Sequence, residues 1–127
     1  MKYGTYKDVD FEVLKDKTII KIEENGTESL DFFTSDGKKY RMYHSQDCCE
    51  RVYIEDICGD LKDLLDTPIL MAELETNSED GKKENYDDSF TWSFYKLATI
   101  KGSVTIRWYG SSNGYYSETV DFVECYV

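Results

Sequence analysis

The chain has 127 residues, is 40% hydrophobic and 15% aromatic, and carries a formal net charge of −11. That length suits one domain with a substantial core, and the apolar and aromatic content argues against a disordered acidic tail. The negative charge argues against free nucleic acid as a ligand, because phosphates are repelled, and no run approaches the roughly 18 apolar residues of a membrane helix.

In chain order, residues 6–17 are mixed, and residues 10–14 predict one or two helical turns leading into the first strand. Thr18, Ile20 and Ile22 alternate with Ile19, Lys21 and Glu23, and Asn25-Gly26 marks a hairpin turn. Leu30, Phe32 and Thr34 alternate next, closed by Ser35-Asp36-Gly37. In residues 38–44, Tyr40, Met42 and His44 point one way and Lys39, Arg41 and Tyr43 the other. These segments predict a three-stranded antiparallel meander.

The period then changes. Ile54, Ile57, Cys58, Leu61, Leu64 and Leu65 fall at i, +3, +4, +7, +10 and +11, one face of an amphipathic helix. Its other face would carry Glu55, Asp56, Asp60, Lys62 and Asp63. Gly59 inside it costs roughly 1 kcal/mol relative to alanine, and Thr67-Pro68 ends it. Residues 69–75 read as a strand. Residues 77–88 are acidic and aperiodic and predict an exposed loop, with a hairpin tip at Asp80-Gly81 as the alternative. Phe90, Trp92 and Phe94, then Val104, Ile106 and Trp108, alternate on either side of a turn at Ile100-Lys101-Gly102. Residues 111–114 turn the chain into a last strand over 116–126. The expectation is an α+β fold in a single domain: about seven antiparallel strands in two meanders, with one helix over residues 54–65 packed on the sheet.

The charge is uneven. Residues 47–88 hold 14 acids against Arg51, Lys62, Lys82 and Lys83, a net of −10, and the rest of the chain is at −1. Such a segment suits a basic protein partner or a cation, and equally a solvated surface that aids solubility.

Residues 44–50, His-Ser-Gln-Asp-Cys-Cys-Glu, gather the only histidine and two of the four cysteines. A zinc site would draw on His44, Cys48, Cys49 and Cys58, although the paired Cys-x-x-Cys spacing of structural sites is absent. A thiol nucleophile would pair Cys48 or Cys49 with His44 as base, oriented by Asp47. The structural reading is the stronger one: His44 hydrogen-bonded at a strand end, one cysteine buried as a small hydrophobe, and Ser45 and Asp47 in a tight turn. The N-terminal residues lack the apolar core of a signal peptide, so the expected compartment is the reducing cytoplasm, with free thiols. A bridge between the adjacent Cys48 and Cys49 would need a strained loop. No cofactor is expected, zinc being the alternative.

The other candidate surface holds Tyr95, Arg107, Tyr109 and Tyr115, placed by the alternation on the face opposite Trp92, Phe94, Ile106 and Trp108. Tyr and Arg are enriched in binding hot spots, so this face is a candidate to dock a protein or stack a nucleobase. Cross-strand pairing that steadies the sheet is the structural alternative. Asp56, Asp60 and Asp63 supply acidic candidates on the expected helix, without the spacing of a calcium loop. No phosphate loop, dinucleotide fingerprint or basic patch with interleaved aromatics occurs.

Two stretches carry a resemblance. One is Tyr40-Arg41-Met42-Tyr43-His44-Ser45-Gln46-Asp47-Cys48-Cys49-Glu50, running on to Ile54-Glu55-Asp56-Ile57-Cys58-Gly59-Asp60-Leu61. The other is Phe90-Thr91-Trp92-Ser93-Phe94-Tyr95-Lys96 with Thr105-Ile106-Arg107-Trp108-Tyr109-Gly110 and Ser112-Asn113-Gly114-Tyr115-Tyr116-Ser117. Together they resemble a small family of uncharacterised proteins encoded by bacteriophages and by bacteria carrying prophages. The resemblance covers most of the chain from about residue 17 onward, and it carries no catalytic or binding residues. It implies a phage-related, cytosolic accessory protein. With the charge, the expectation is a non-enzymatic binding protein acting on a host protein in the host cytoplasm. One version is a counter-defence inhibitor that imitates the charge of DNA toward a basic or nucleic-acid-binding partner. The alternatives are a metal-binding or thiol enzyme centred on His44, Cys48 and Cys49, a small-nucleotide binder, and a virion assembly protein.

Overall fold

Nine strands in two antiparallel sheets carry the chain, which a computed structural model describes over residues 6–80, 89–113 and 117–126. The strands are β1 (Tyr6–Asp8), β2 (Ile19–Asn25), β3 (Ser29–Thr34), β4 (Lys39–Tyr43), β5 (Arg51–Cys58), β6 (Met71–Asp80), β7 (Ser89–Thr99), β8 (Gly102–Ser112) and β9 (Asp121–Cys125). Sheet one runs β1-β9-β4-β3-β2 and sheet two runs β5-β8-β7-β6. Two 3-10 turns, Phe11–Leu14 and Leu61–Leu64, are the helical elements among the described residues. None of these helices reaches a length that could cross a membrane.

The two sheets share one core. Leu30, Phe32, Tyr40, Met42 and Phe122 of sheet one meet Ile54, Ala72, Tyr95, Leu97, Val104, Ile106 and Trp108 of sheet two. Phe11 joins them, edge-on to both Tyr95 and Phe122. Tyr40 and Phe122 stack at 5.7 Å. The buried Trp108 Nε1–H donates to Met42 Sδ at 3.0 Å, so the largest core side chain keeps a polar partner. A seam of backbone bonds also joins residues 16–19 to 66–69: Asp16 N to Ile69 O, Ile69 N to Lys17 O and Asp66 N to Ile19 O, each at 2.8 Å.

The fold is therefore mostly β, not α+β, and the expected helix over residues 54–65 is absent. Its first half is β5, antiparallel to β8. A bulge between Ile54 and Asp56 puts Ile54 opposite Trp108 and Ile57 opposite Ile106, on the same face. The inserted residue gives two inward side chains three positions apart, which imitates a helical step. Gly59, at φ +108°, then ends the strand. Asp60 caps the 3-10 turn by accepting from Lys62 N at 2.9 Å, and that turn buries Leu64.

Two further expectations change. The first meander, β2-β3-β4, is present with turns at Gly26 and Gly37, both at positive φ. The second meander holds only β6, β7 and β8; the last strand, β9, leaves sheet two and inserts between β1 and β4 of sheet one. Both faces of β9 are covered, with Phe122 and Val123 both buried, so it suits an internal position. Residues 77–80 continue β6 in register with β7 as far as Asp80 opposite Ser89. Residues 81–88 of the expected loop lie outside the described residues.

The faces of sheet two also differ from expectation. A two-residue turn, Ile100-Lys101, closes β7 onto β8 with Thr99 opposite Gly102. Odd positions of β7 therefore share a face with even positions of β8. Ser93, Tyr95 and Leu97 point inward with Val104, Ile106 and Trp108, whereas Trp92 and Phe94 point outward with Tyr109 and Arg107.

This assignment is open to measurement. Trp108 is 1% exposed and Trp92 is half-buried on the outer face. Acrylamide quenching should therefore be largely lost in Trp92→Phe and retained in Trp108→Phe; the reverse result would invert the sheet. Gly59→Ala should destabilise the fold, by about 1–3 kcal/mol from backbone conformation alone. Its Cβ would also lie 2.5 Å from Ser103 O, so urea denaturation should show a loss at or above that range.

Candidate functional site

The segment after β4 is built around a buried carboxylate. The Glu50 side chain is 0% exposed and that of His44 is 4% exposed. Glu50 Oε2 accepts from Asp47 N at 2.7 Å and lies 2.7 Å from His44 Nε2, and Oε1 accepts from Cys48 N at 2.9 Å. The other His44 nitrogen, Nδ1, donates to Thr119 O at 2.8 Å, since a carbonyl only accepts. One proton therefore lies along the contact between Nε2 and Oε2. Gln46 Nε2 donates to Glu50 O at 2.6 Å and Cys48 O at 3.2 Å, and Ser45 N donates to Asp121 Oδ2 at 2.9 Å. The turn thus ties the end of β4 to the approach to β9.

Burial alone would raise the Glu50 carboxyl. The His44 hydrogen bond and the N–H groups of Cys48 and Asp47 outweigh it and hold it down at about 2. Cys48 and Cys49 are paired as a disulfide between neighbours, at the exposed outside of the turn. This corrects two expectations, that all four thiols are free and that one of these two cysteines is buried. Cys58 and Cys125 are the free cysteines among the described residues.

These positions do not assemble as the zinc or thiol-nucleophile readings require. Both His44 nitrogens are engaged, by a carbonyl and a carboxylate rather than a thiol. Cys58 sits at the far end of β5, roughly 25 Å along an extended strand from Glu50. Among the described residues, no group of three or more His, Cys, Asp or Glu is arranged to hold a metal ion. A cavity of about 690 Å³ opens beside the turn, lined by His44, Gln46, Glu50, Arg51, Tyr53 and Glu55 among others.

The second region is the outer face of sheet two. Tyr109 is its hub, with ring centroids 4.7 Å from Trp92, 5.9 Å from Tyr53 and 6.1 Å from Phe90. Arg107 lies over Trp92 at 5.6 Å and Arg51 over Tyr53 at 5.3 Å. Arg107 also bonds Glu55 Oε1 through Nε at 2.8 Å and lies 3.6 Å from Asp56 Oδ2. The aromatic centre is on β7 and β8, and the acids are on the edge strands, Glu55 and Asp56 on β5 and Glu73 and Glu75 on β6.

Of the residues singled out in the sequence, Arg107 and Tyr109 belong to this face. Tyr95 does not: it is 2% exposed, against Phe11, and burial pushes its hydroxyl up. Tyr115 lies outside the described residues. Asp56 is on β5, Asp60 caps the 3-10 turn and Asp63 is within it, so the three share no helix face. Trp92, Phe90, Tyr53 and Arg51 are the members the sequence reading missed. The signal for Trp92 was present in the two-residue turn, which fixes the relative phase of β7 and β8.

A family model described as Domain of unknown function (DUF7448) matches residues 12–122, and the chain belongs to that family. No curated protein and no solved structure matches it.

The carboxylate at the centre of the turn predicts a pH signature. Its folded value is depressed to about 2 from the ordinary 4.5, so the stability it contributes is full above about 4.5 and is lost as pH falls toward about 2. Glu50→Gln should be less stable than wild type at neutral pH, and the gap should close across that window. Urea midpoints measured over a pH series check this; a constant gap would remove Glu50 as its source.

Proposed function

We propose that this chain is a phage-encoded, non-enzymatic binding protein that docks on a basic host protein in the host cytoplasm, through the outer face of sheet two. The observation that carries the proposal is the aromatic and arginine cluster of Tyr109, Trp92, Phe90, Tyr53, Arg107 and Arg51 on that face. Trp, Tyr and Arg are the side chains that concentrate binding energy at protein interfaces, typically inside a polar rim. Here the rim carries Glu55 and Asp56 on one edge, both beside Arg107, and Glu73 and Glu75 on the other, with Glu75 paired to Lys96. The whole-chain charge of −11, rather than the paired rim, favours a positively charged partner and speeds its approach. A nucleic-acid-binding host protein fits this chemistry, met through its basic surface. Phage origin is supported by the resemblance carried by residues 40–61 and 90–117.

The test presents a bacterial lysate to immobilised wild type and to the double variant Trp92→Ala, Tyr109→Ala, with folding of both confirmed by thermal melt. A basic protein should be retained at low salt and released as ionic strength rises, and the variant should bind it at least about tenfold more weakly. Equal retention by the two chains, or no retention by wild type at low salt, would overturn the proposal.

A further inference from the structure

We infer that Cys48 and Cys49 form a reversible thiol–disulfide site, and that its closure sets the grip of residues 45–50 on the Glu50 carboxylate. Three observations carry this. First, the two sulfurs are paired while both residues are exposed, so small thiols and disulfides reach them from solvent. Second, a bond between adjacent residues encloses no chain. Structural disulfides stabilise largely by closing a loop in the unfolded state, and this one closes none, so the fold does not need it. Third, the bond constrains the 48–49 peptide, whose carbonyl is held by Gln46 and which directly follows the two amides that serve the carboxylate. Cys48 N donates to Glu50 Oε1, Cys48 O accepts from Gln46, and Asp47 N donates to Glu50 Oε2. A change at the 48–49 peptide is therefore transmitted to Glu50, then to His44 and the Thr119 carbonyl beyond it.

The co-reactant is a low-molecular-weight disulfide of the glutathione class. The thiolate of one cysteine attacks it, forming a mixed disulfide and expelling one thiolate. The neighbouring thiolate then attacks the protein sulfur of that mixed disulfide and expels the second. The chain loses two protons and two electrons, and the small disulfide takes them up to become two thiols. Reduction is the reverse. The other two cysteines are less suited: Asp56 beside Cys58 and burial around Cys125 push both thiols up, which lowers their thiolate fraction.

The experiment equilibrates the full chain with reduced and oxidised glutathione at a series of ratios. Readouts are thiol count, intact mass, peptide mapping and amide hydrogen exchange. The expected result is a fall from four reactive thiols to two, with the loss of two hydrogens mapped to the peptide containing Cys48 and Cys49. The Asp47 and Cys48 amides should exchange faster in the reduced form. Cys48→Ser and Cys49→Ser, which cannot close the ring, should each instead accumulate a mixed disulfide on the remaining cysteine. Four thiols at every ratio would overturn the site, as would a new bond mapped to Cys58 and Cys125, or wild type stopping at the mixed disulfide. Identical exchange at Asp47 and Cys48 in the two forms would overturn the coupling to Glu50.

Discussion

The closure of β7 onto β8 by Ile100 and Lys101 is the constraint on which most of this molecule depends. With only two residues in the turn, Thr99 must oppose Gly102, and every pair down the hairpin follows. That register brings Tyr95, Leu97, Val104, Ile106 and Trp108 to one face, where sheet one covers them. The same register leaves Trp92 and Tyr109 adjacent on the other face, with Arg107 over Trp92. A slip of one residue would turn every side chain of the slipped strand to the opposite face, sending an indole into water and charged groups into the core. The core and the outer aromatic face are thus two consequences of one turn.

The Glu50 turn obeys a related rule. A buried carboxylate is costly unless its oxygens are satisfied, and here an imidazole and two backbone N–H groups do so. Those N–H groups come from Asp47 and Cys48, so the backbone path of the turn follows from the need to serve the carboxylate. His44 extends the arrangement to the carbonyl of Thr119, just ahead of β9. The only histidine in the chain is therefore a cross-brace between β4 and the entry to β9.

Much of the strand content is legible in the sequence, because alternation is local. Tyr40 and Met42, Trp92 and Phe94, and Ile106 and Trp108 each share a face of their strand, as the period-two pattern says. The relative phase of two strands is a property of the turn between them, and overlooking it put Tyr95 on the exposed face. The bulge at residue 55 is harder to read. It spaces Ile54 and Ile57 like residues on a helix, and the leucines of the 3-10 turn prolong the pattern past Gly59. Gly59 carried the contrary signal: its backbone requires a positive φ, which a helix interior does not. Three-residue β1 has too little sequence to show a period. The partner of β9 is set by long-range packing of Phe122 on Phe11 and Tyr40, which no local pattern encodes.

Placement also changes what the acidic middle of the chain means. In sequence, residues 47–88 form one block at −10. In the fold, that block supplies both edge strands of sheet two, with the aromatic β7 and β8 between them. Charge on an edge strand discourages pairing with another sheet, which is reason enough for acids at Glu55, Glu73 and Glu75 without any partner. Edge protection, however, does not require aromatic side chains on the strands between. Trp92, Phe90 and Tyr109 are half-buried on the outer face of sheet two. Arg107 lies over Trp92 and is held by Glu55, and the exposed Arg51 lies over Tyr53, so the Arg107 end of the cluster is ordered before any partner arrives. Preorganised aromatic and guanidinium groups lose less freedom on association than mobile ones. Acid rim and aromatic centre together therefore favour docking over edge protection alone.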